Sequence, residues 1–393
     1  MMCGLLLARA GIEVDVLEKH GDFLRDFRGD TIHPSTLELM RELGYIDEFL
    51  KLPHQKVQEL NGAIGKTRVP VADFSGLDVA CPYIVFMPQW NFLNFLADKA
   101  RQYPNFHLRM ETEANDLLQD QKVIGVRAQH QGQEFDLRAD LVIGADGRHS
   151  VVRKRAGLQV HELGAPMDVL WMKVPRKETD PSEPLGIFRA GRILILIYRG
   201  DYWQCGFVIP KGQFDHFKES GLRAFQQKLQ DLAPFLGDAV EALQSWDDIK
   251  LLTVKVDRLE TWYAPGLLCI GDAAHAMSPI GGVGINLAIQ DAVAAANLLQ
   301  EPLREGLDCT AAMRQVQWRR GLPTRVTQRL QLLIQDRVIK PTLTGDRDIS
   351  LPWILRFLLH HKVLTPLTGR LIGLGIRPEH VNTEVGEHKR QTA

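Results

Sequence analysis

This 393-residue chain is poor in several things, and each shortage removes a class of function. Charge of one sign is missing, because 47 Lys and Arg stand against 48 Asp and Glu. No net field draws a polyanion, and no basic run is interleaved with aromatics, so nucleic acid is not an expected partner. Cysteine is sparse: Cys3, Cys81, Cys205, Cys269 and Cys309 are odd in number and lack the close pairs of a metal site or redox dithiol. A reducing cytoplasm and no bound metal are expected. No uninterrupted apolar run approaches the ~20 residues that span a bilayer, so a membrane span is not expected. The start, MMCGLLLARA, mimics a signal peptide but lacks its cationic region. Internal repeats and low-complexity tracts are absent.

What is present is enough apolar sequence, 45% of positions, for two globular domains sharing an interface. The most informative stretch is CIGDAAHAMSPIGGVGIN, Cys269 to Asn286. A short apolar strand ends on Gly271 and Asp272, a polar loop follows, and Gly281, Gly282 and Gly284 open an apolar helix from Ile285 to Leu299. An acid at a strand tip accepts bonds from ligand hydroxyls, and bare N–H groups at a helix start hold an anion or an electron-rich ring edge. A glycine cluster alone is equally a plain turn. It does not by itself account for GDAAH and SPIGGVGIN in one run.

Three further pieces are read in chain order. Met1 to Ala10 forms a helix apolar nearly all round; Gly11 stops it, and the alternating strand Ile12 to Leu17 delivers Glu18 at its end. That matches the latter part of a dinucleotide-binding βαβ unit, whose terminal acid binds ribose hydroxyls. Next, FLRDFRGDTIHPSTLELMRELG brings Arg28 to the same strand edge, with Ser35 or Thr36 expected to cap a helix Leu37 to Leu43. Arg25 and Arg28 are also free to pair with Asp22, Asp26 and Asp30 on a solvated loop, and His33 reads as a turn residue. Third, ADLVIGADGRHSVVRKRAG is a buried strand followed by a tight turn at Asp146 and Gly147 and a basic helix.

The order of these pieces resembles the FAD-dependent monooxygenases of the para-hydroxybenzoate hydroxylase class. The resemblance rests on GD at Gly271–Asp272, DG at Asp146–Gly147 and RGDTIHPSTLELM, and runs from the first residue to about Asn297. It implies an α/β fold: a doubly wound, Rossmann-like FAD-binding domain, N-terminally truncated, with an inserted sheet-containing substrate domain and a C-terminal helical region. The expected division is 1–62, 88–160 and 258–325 for FAD binding, 63–87 and 161–257 for substrate, and 326–393 for the helices.

The resemblance further implies FAD and NAD(P)H as cofactors and a small, electron-rich organic substrate that is hydroxylated or epoxidised with oxygen from O₂. Its site would place Glu18 on ribose, Arg28 on pyrophosphate, and Gln89, first in the helix QWNFLNFLADKA, on the flavin side. Asp146 and Gly147 would face the pyrophosphate and the nicotinamide cofactor, with Arg148 and Arg153 helping to hold phosphate. Asp272, after Gly271, would bind ribityl hydroxyls. Pro279 would lie against the ring, and the backbone of Gly282, Val283, Gly284 and Asn286 would meet its pyrimidine edge. No side chain announces itself as a general acid or base; His275 reads as structural. A flavin reductase or dehydrogenase of the same fold, and a non-catalytic remnant, stay open, as does the oligomeric state, a homodimer included.

Residues 167–255 carry sheet strands on which Trp171, Tyr198, Trp203 and Phe207 are candidate pocket residues, though aromatics in sheets are more often core. Pro323, Pro341, Pro352 and Pro366 are expected to break the later helices, and Leu351 to Leu374 reads as an apolar segment packed on the substrate domain or at a subunit contact. The first strand and G-x-G-x-x-G turn of the βαβ unit are expected in frame upstream of Met1. A chain made from Met1 is expected to fold poorly and to bind FAD weakly.

Overall fold

The computed structural model describes residues 1–23, 31–64, 67–181, 184–345, 364–383 and 385–386. Arg28 and most of Leu351–Leu374 therefore lie outside the described residues.

The helix Met2–Arg9 is buried through Leu5, Leu6 and Ala8 and lies close on the strand Val14–Leu17. Gly4 permits that approach, since a Cβ there would stand 2.8 Å from Val16 Cγ2 and 3.1 Å from the Phe106 ring. This is the work of the last glycine in a dinucleotide-binding fingerprint, and the sequence reading passed over it. Val14–Leu17 pairs in parallel with Phe106–Arg109, while Val142–Gly144 pairs in parallel with Leu267–Cys269. Among the described residues these parallel strands form separate sheets. A single apolar cluster joins them through Leu5, Phe106, Leu267, Leu268 and the helix Gly284–Glu305.

That helix is long and apolar enough to cross a bilayer by length and composition. Its buried Asn286, Gln290 and Asp291 are bonded within the protein, and it packs as a core helix.

A seven-stranded sheet forms the second layer, in the order Lys250–Leu252, Met167–Pro175, Tyr202–Pro210, Arg192–Tyr198, Leu185–Arg189, Glu59–Ile64, Thr67–Asp73. Side chains alternate between its faces. Leu170, Met172, Leu194, Trp203 and Phe207 share one face with Phe225 and Leu229 of the helix Leu222–Leu232. Met167, Val169, Trp171, Ile193 and Val208 share the other with Ile280, Ile334, Ile339 and Leu343. Trp203 and Phe207, at 0% and 1% exposure, are thus core under the helices and line no pocket. Tyr198 sits edge-on to Trp203 on the same side, whereas Trp171 is on the face toward Ile280.

Two local expectations are corrected. Helix 34–42 starts earlier than Ser35 or Thr36 would allow, with His33 as N-cap and Pro34 in the first turn, where a fixed φ and a missing N–H cost nothing. Thr36 instead donates its hydroxyl to Asn286 Oδ1 at 2.8 Å. Pro323 lies inside the helix Thr310–Ile334, which is anchored on both sides of it by buried Arg320 and Gln328; Pro302 is likewise inside Gly284–Glu305. The helix Thr365–Gly373 packs on Thr67–Asp73, where Thr368 Oγ1 donates to Val71 O at 2.6 Å.

Two side chains make testable demands on this fold. Buried Asp168 accepts from Lys211 Nζ (2.7 Å), Gly212 N (2.9 Å) and Val254 N (2.9 Å), tying the sheet to the chain that returns toward the parallel strands. Asp168→Ala leaves these donors unpaired and is expected to cost about 3–5 kcal/mol in urea unfolding, with Asp168→Asn costing less.

His33 is buried, its Nδ1 donates to Ile372 O at 2.7 Å, and Nε2 has no partner among the described residues. Burial pushes its pKa down from 6.5 to about 4, against the hydrogen bond to Ile372. The neutral ring's contribution is present above the unfolded value and is lost as pH falls through the folded one. Between about pH 7.5 and about pH 5 the wild type is expected to lose about 2 kcal/mol that His33→Gln does not lose. Parallel losses in the two proteins would reject a buried neutral His33.

Candidate functional site

The strand Leu267–Cys269 is wholly buried, and Ile270 N donates to Gly144 O at 2.9 Å, so the chain leaves both parallel strands at one level. There the turn Gly271–Ala273 presents Asp272. Arg148 Nη2 donates to Asp272 Oδ2 at 3.3 Å, and Nη1 to Thr253 O at 3.3 Å. The DG and GD stretches are therefore neighbours. Both side chains of the pair keep a solvent face, 19% for Arg148 and 32% for Asp272.

Asp146 is engaged locally: its Oδ2 accepts from Val151 N (2.7 Å) and Val152 N (3.3 Å) at the start of the helix Val151–Arg155, and Gly147 makes the turn with φ 84°. Arg153 is not available to a phosphate. It is buried and donates to Asp257 Oδ1 and Oδ2, Ala273 O and Arg148 O. A guanidinium spent on four oxygens inside the protein braces the two turns against each other.

Beneath the GD turn is a buried ionic chain. Asp291 Oδ2 accepts from Gly271 N at 3.1 Å and from His275 Nε2 at 2.5 Å, and Oδ1 accepts from Arg320 Nε at 3.1 Å. Arg320 Nη1 continues to Glu379 Oε1 at 3.3 Å, and Arg319 Nε closes on the same carboxylate at 2.7 Å. Burial alone pushes the Asp291 carboxyl up, but the charges of His275 and Arg320 and the bonds from His275 and Gly271 outweigh it and hold it below the usual range. His275 is thus a partner of Asp291, in keeping with a structural role.

Past the loop, Pro279 leads into the turn Ile280–Gly282. Gly282 has φ 62°, and a Cβ there would stand 2.4 Å from Thr31 Oγ1, which donates to Gly282 O at 3.0 Å; no other residue fits. The helix Gly284–Glu305 then starts with no side chain capping it. Its first N–H groups have no partner within the helix, so they face outward as donors. Asn286 points its side chain inward, accepting from His33 N (3.0 Å) and Thr36 Oγ1 (2.8 Å) and donating to Thr31 O (3.1 Å) and Gly282 O (3.3 Å). Only its backbone remains for a ligand.

The other sequence candidates are placed as follows. Glu18 follows the strand Val14–Leu17; it accepts from His20 N at 3.0 Å, and its charge acts on the buried Met1 amine at the start of the first helix. Gln89 opens the helix Gln89–Ala100 three residues after Phe86, which pairs with Thr31. The sequence reading missed Asp291, Arg320, Gln328, Gln331, Gln335 and Glu379. The signal was the run of polar residues 320, 324, 328, 331 and 335 on one helical stripe of an otherwise amphipathic segment.

A half-exposed carboxylate for hydroxyl groups, a turn free of side chains and an uncapped helix start make a donor set that fits a flavin. Comparison with known proteins agrees. A family model described as an FAD binding domain matches residues 1–317. The 6-methylpretetramide 4-monooxygenase of Streptomyces rimosus is 33% identical over 349 residues, 85% of this chain and 82% of that protein. The p-nitrophenol 4-monooxygenase PnpA from Pseudomonas putida DLL-E4 shares the fold with a TM-score of 0.76, covering 95% of this chain and 93% of that one at 18% identity. The OxyS anhydrotetracycline hydroxylase from Streptomyces rimosus does so at 0.73, covering 99% and 75% at 22% identity. The chain belongs to the FAD-dependent monooxygenases and is an oxidoreductase of that family.

Proposed function

We propose that this protein uses NAD(P)H and O₂ to hydroxylate, or epoxidise, an electron-rich aromatic or polycyclic organic molecule. The observation that carries the reading is the pairing, on one loop, of the Asp272 carboxylate with the uncapped start of helix Gly284–Glu305. Asp272 accepts from ribityl hydroxyls. The backbone from Gly282 to Asn286 meets the pyrimidine edge, with donors from the N–H groups after Gly282, whose own N–H is bonded to Pro279 O at 3.1 Å, and the helix dipole there favours the negative charge that reduction brings. Pro279 lies against the ring. Glu18 holds the adenosine ribose, Arg28 and the Asp146–Gly147 turn face the pyrophosphate, and Gln89 approaches from the flavin side. The bound flavin supplies the redox and oxygen chemistry; the chain supplies position and electrostatics. Arg148, held on Asp272 and still partly exposed, is a cation beside that carboxylate for a cofactor phosphate.

The substrate faces the second side of the seven-stranded sheet. Trp171, Phe188 and Ile195 share an apolar cluster there with Ile280 of the glycine turn, which favours a flat, apolar ring system. The names of the relatives, a pretetramide monooxygenase and a nitrophenol monooxygenase, are in keeping with that class. The cytoplasmic location rests on the five free thiols.

The full-length protein is expected to bind FAD and to oxidise NADPH faster when a suitable polycyclic phenol is present, with label from isotopic O₂ in the product. Stimulated oxidation with no label in the product would mark a reductase or dehydrogenase instead. Asp272→Ala should weaken FAD by about 1.5–3 kcal/mol, roughly ten- to a hundredfold in Kd by flavin fluorescence titration. An unchanged Kd would take Asp272 out of the site.

A further inference from the structure

The helix Thr310–Ile334 and the π-helical turn Gln335–Ile339 after it carry three buried glutamines, Gln328, Gln331 and Gln335, at spacings of three and four, so their side chains share one face. All three turn toward the loop between the GD turn and the glycine turn. Gln328 Nε2 donates to Ala276 O at 3.2 Å and to Asp257 O at 2.8 Å. Gln335 Nε2 donates to Ser278 Oγ at 2.9 Å. Gln331 does most: its Oε1 accepts from Ser278 N at 3.1 Å, and its Nε2 donates to Ser278 O at 2.9 Å and to Ile280 O at 2.9 Å.

Those three bonds seize the backbone on either side of Pro279. A proline has no N–H by which to be held, and its φ, here −67°, is fixed by the ring, so its place is set by its neighbours. Both neighbours are held by one amide. A buried amide that satisfies its donors and acceptor on backbone groups has a single low-energy arrangement, because moving the loop strands polar atoms away from water.

We propose that Gln331 is a positioning residue for the flavin, clamping Ser278 and Ile280 so that Pro279 and the following glycine turn meet the ring at a fixed place. This rests on the reading that the loop from Pro279 to Asn286 borders the flavin. Gln328 holds the same loop just before the clamp, at Ala276 O, and Gln335 holds the Ser278 side chain within it. The contact transmits in one direction of interest: the helix that also presents Ile334 to the substrate face of the sheet sets the loop that touches the cofactor.

The test compares Gln331→Met, which keeps the volume and deletes all three bonds, with Val316→Ala, a cavity in the buried core at the other end of the same helix. In the FAD-free protein, Gln331→Met should speed amide hydrogen exchange at Ser278 by about tenfold or more. Loaded with FAD, it should shift the visible absorption bands and the midpoint potential of the flavin and raise the FAD Kd by about three- to tenfold. Val316→Ala should lower the melting temperature at least as much and change none of the three. Bands, potential and Kd at wild-type values in Gln331→Met despite a loosened Ser278, or equal shifts in Val316→Ala, would overturn the proposal. If Gln331→Met does not fold, Gln335→Met carries the same readouts with smaller shifts, and silence there counts against the proposal equally. Wild-type protein that binds no FAD would instead bring down the flavin reading; FAD binding weakened by Asp272→Ala beside silent glutamine variants would bring down this inference alone.

Discussion

The buried carboxylate of Asp291 is the constraint on which the site depends. A charge taken out of water is tolerated only when its partners are close and well aimed, and removing one partner of such a pair typically costs about 3–5 kcal/mol. Asp291 meets that condition with a backbone N–H from Gly271 and the His275 ring, both on the GD loop, and the Arg320 guanidinium from the helix Thr310–Ile334. The GD turn is therefore tied to the core one residue before Asp272 and again three residues after it. Asp272 itself is left half in solvent between two fixed points. The acid is both accessible and steady, the accessibility coming from the turn and the steadiness from the buried charge below it.

A second division of labour runs along the loop. The GD turn is held by charge, the stretch from Ala276 to Ile280 by neutral amides, and the glycine turn by the Thr31 hydroxyl and the Asn286 side chain. The helix Gly284–Glu305 supplies Asp291 and Asn286, the helix Thr310–Ile334 supplies Arg320 and Gln331, and Thr31 comes from a strand, so no single helix or strand owns the site. Arg153 joins the system from the DG side, binding Ala273 O and Asp257 together. Of the two positive charges beside the DG turn that the sequence offers to a phosphate, Arg148 keeps a solvent face and Arg153 is consumed as a brace.

What was legible in the sequence is what depends on near neighbours in the chain. Strand ends, glycine turns and helix starts at Gly271–Asp272, Asp146–Gly147 and Gly282–Gly284 are local events, and their backbone geometry could be read from a dozen residues. Facing was less legible. The period of two shows that Trp171 and Trp203 lie on strands but not which face of the sheet is roofed, and only packing with Phe225 and Leu229 makes Trp203 core. Partners far apart in sequence were not legible at all. A stripe of Gln and Arg on a helix reads as a solvated face until the carbonyls it serves are known, and Glu379 gains meaning only from Arg320. His33 reads as a turn residue from the proline after it; its burial, and the bond of its Nδ1 to Ile372 O more than three hundred residues later, are set by the tertiary fold.

The last described residues hold the first. Arg9 Nη1 donates to Thr383 O at 2.6 Å, Gly386 N donates to Arg9 O at 2.9 Å, and Glu379 completes the charge chain under the GD turn. On the ribosome, then, the opening helix and the GD turn are both made long before the segment that fastens them emerges. Contacts of such wide sequence separation form late and slowly. The GD turn reaches its final anchoring only after residue 379 has left the exit tunnel, long after the turn itself has been made.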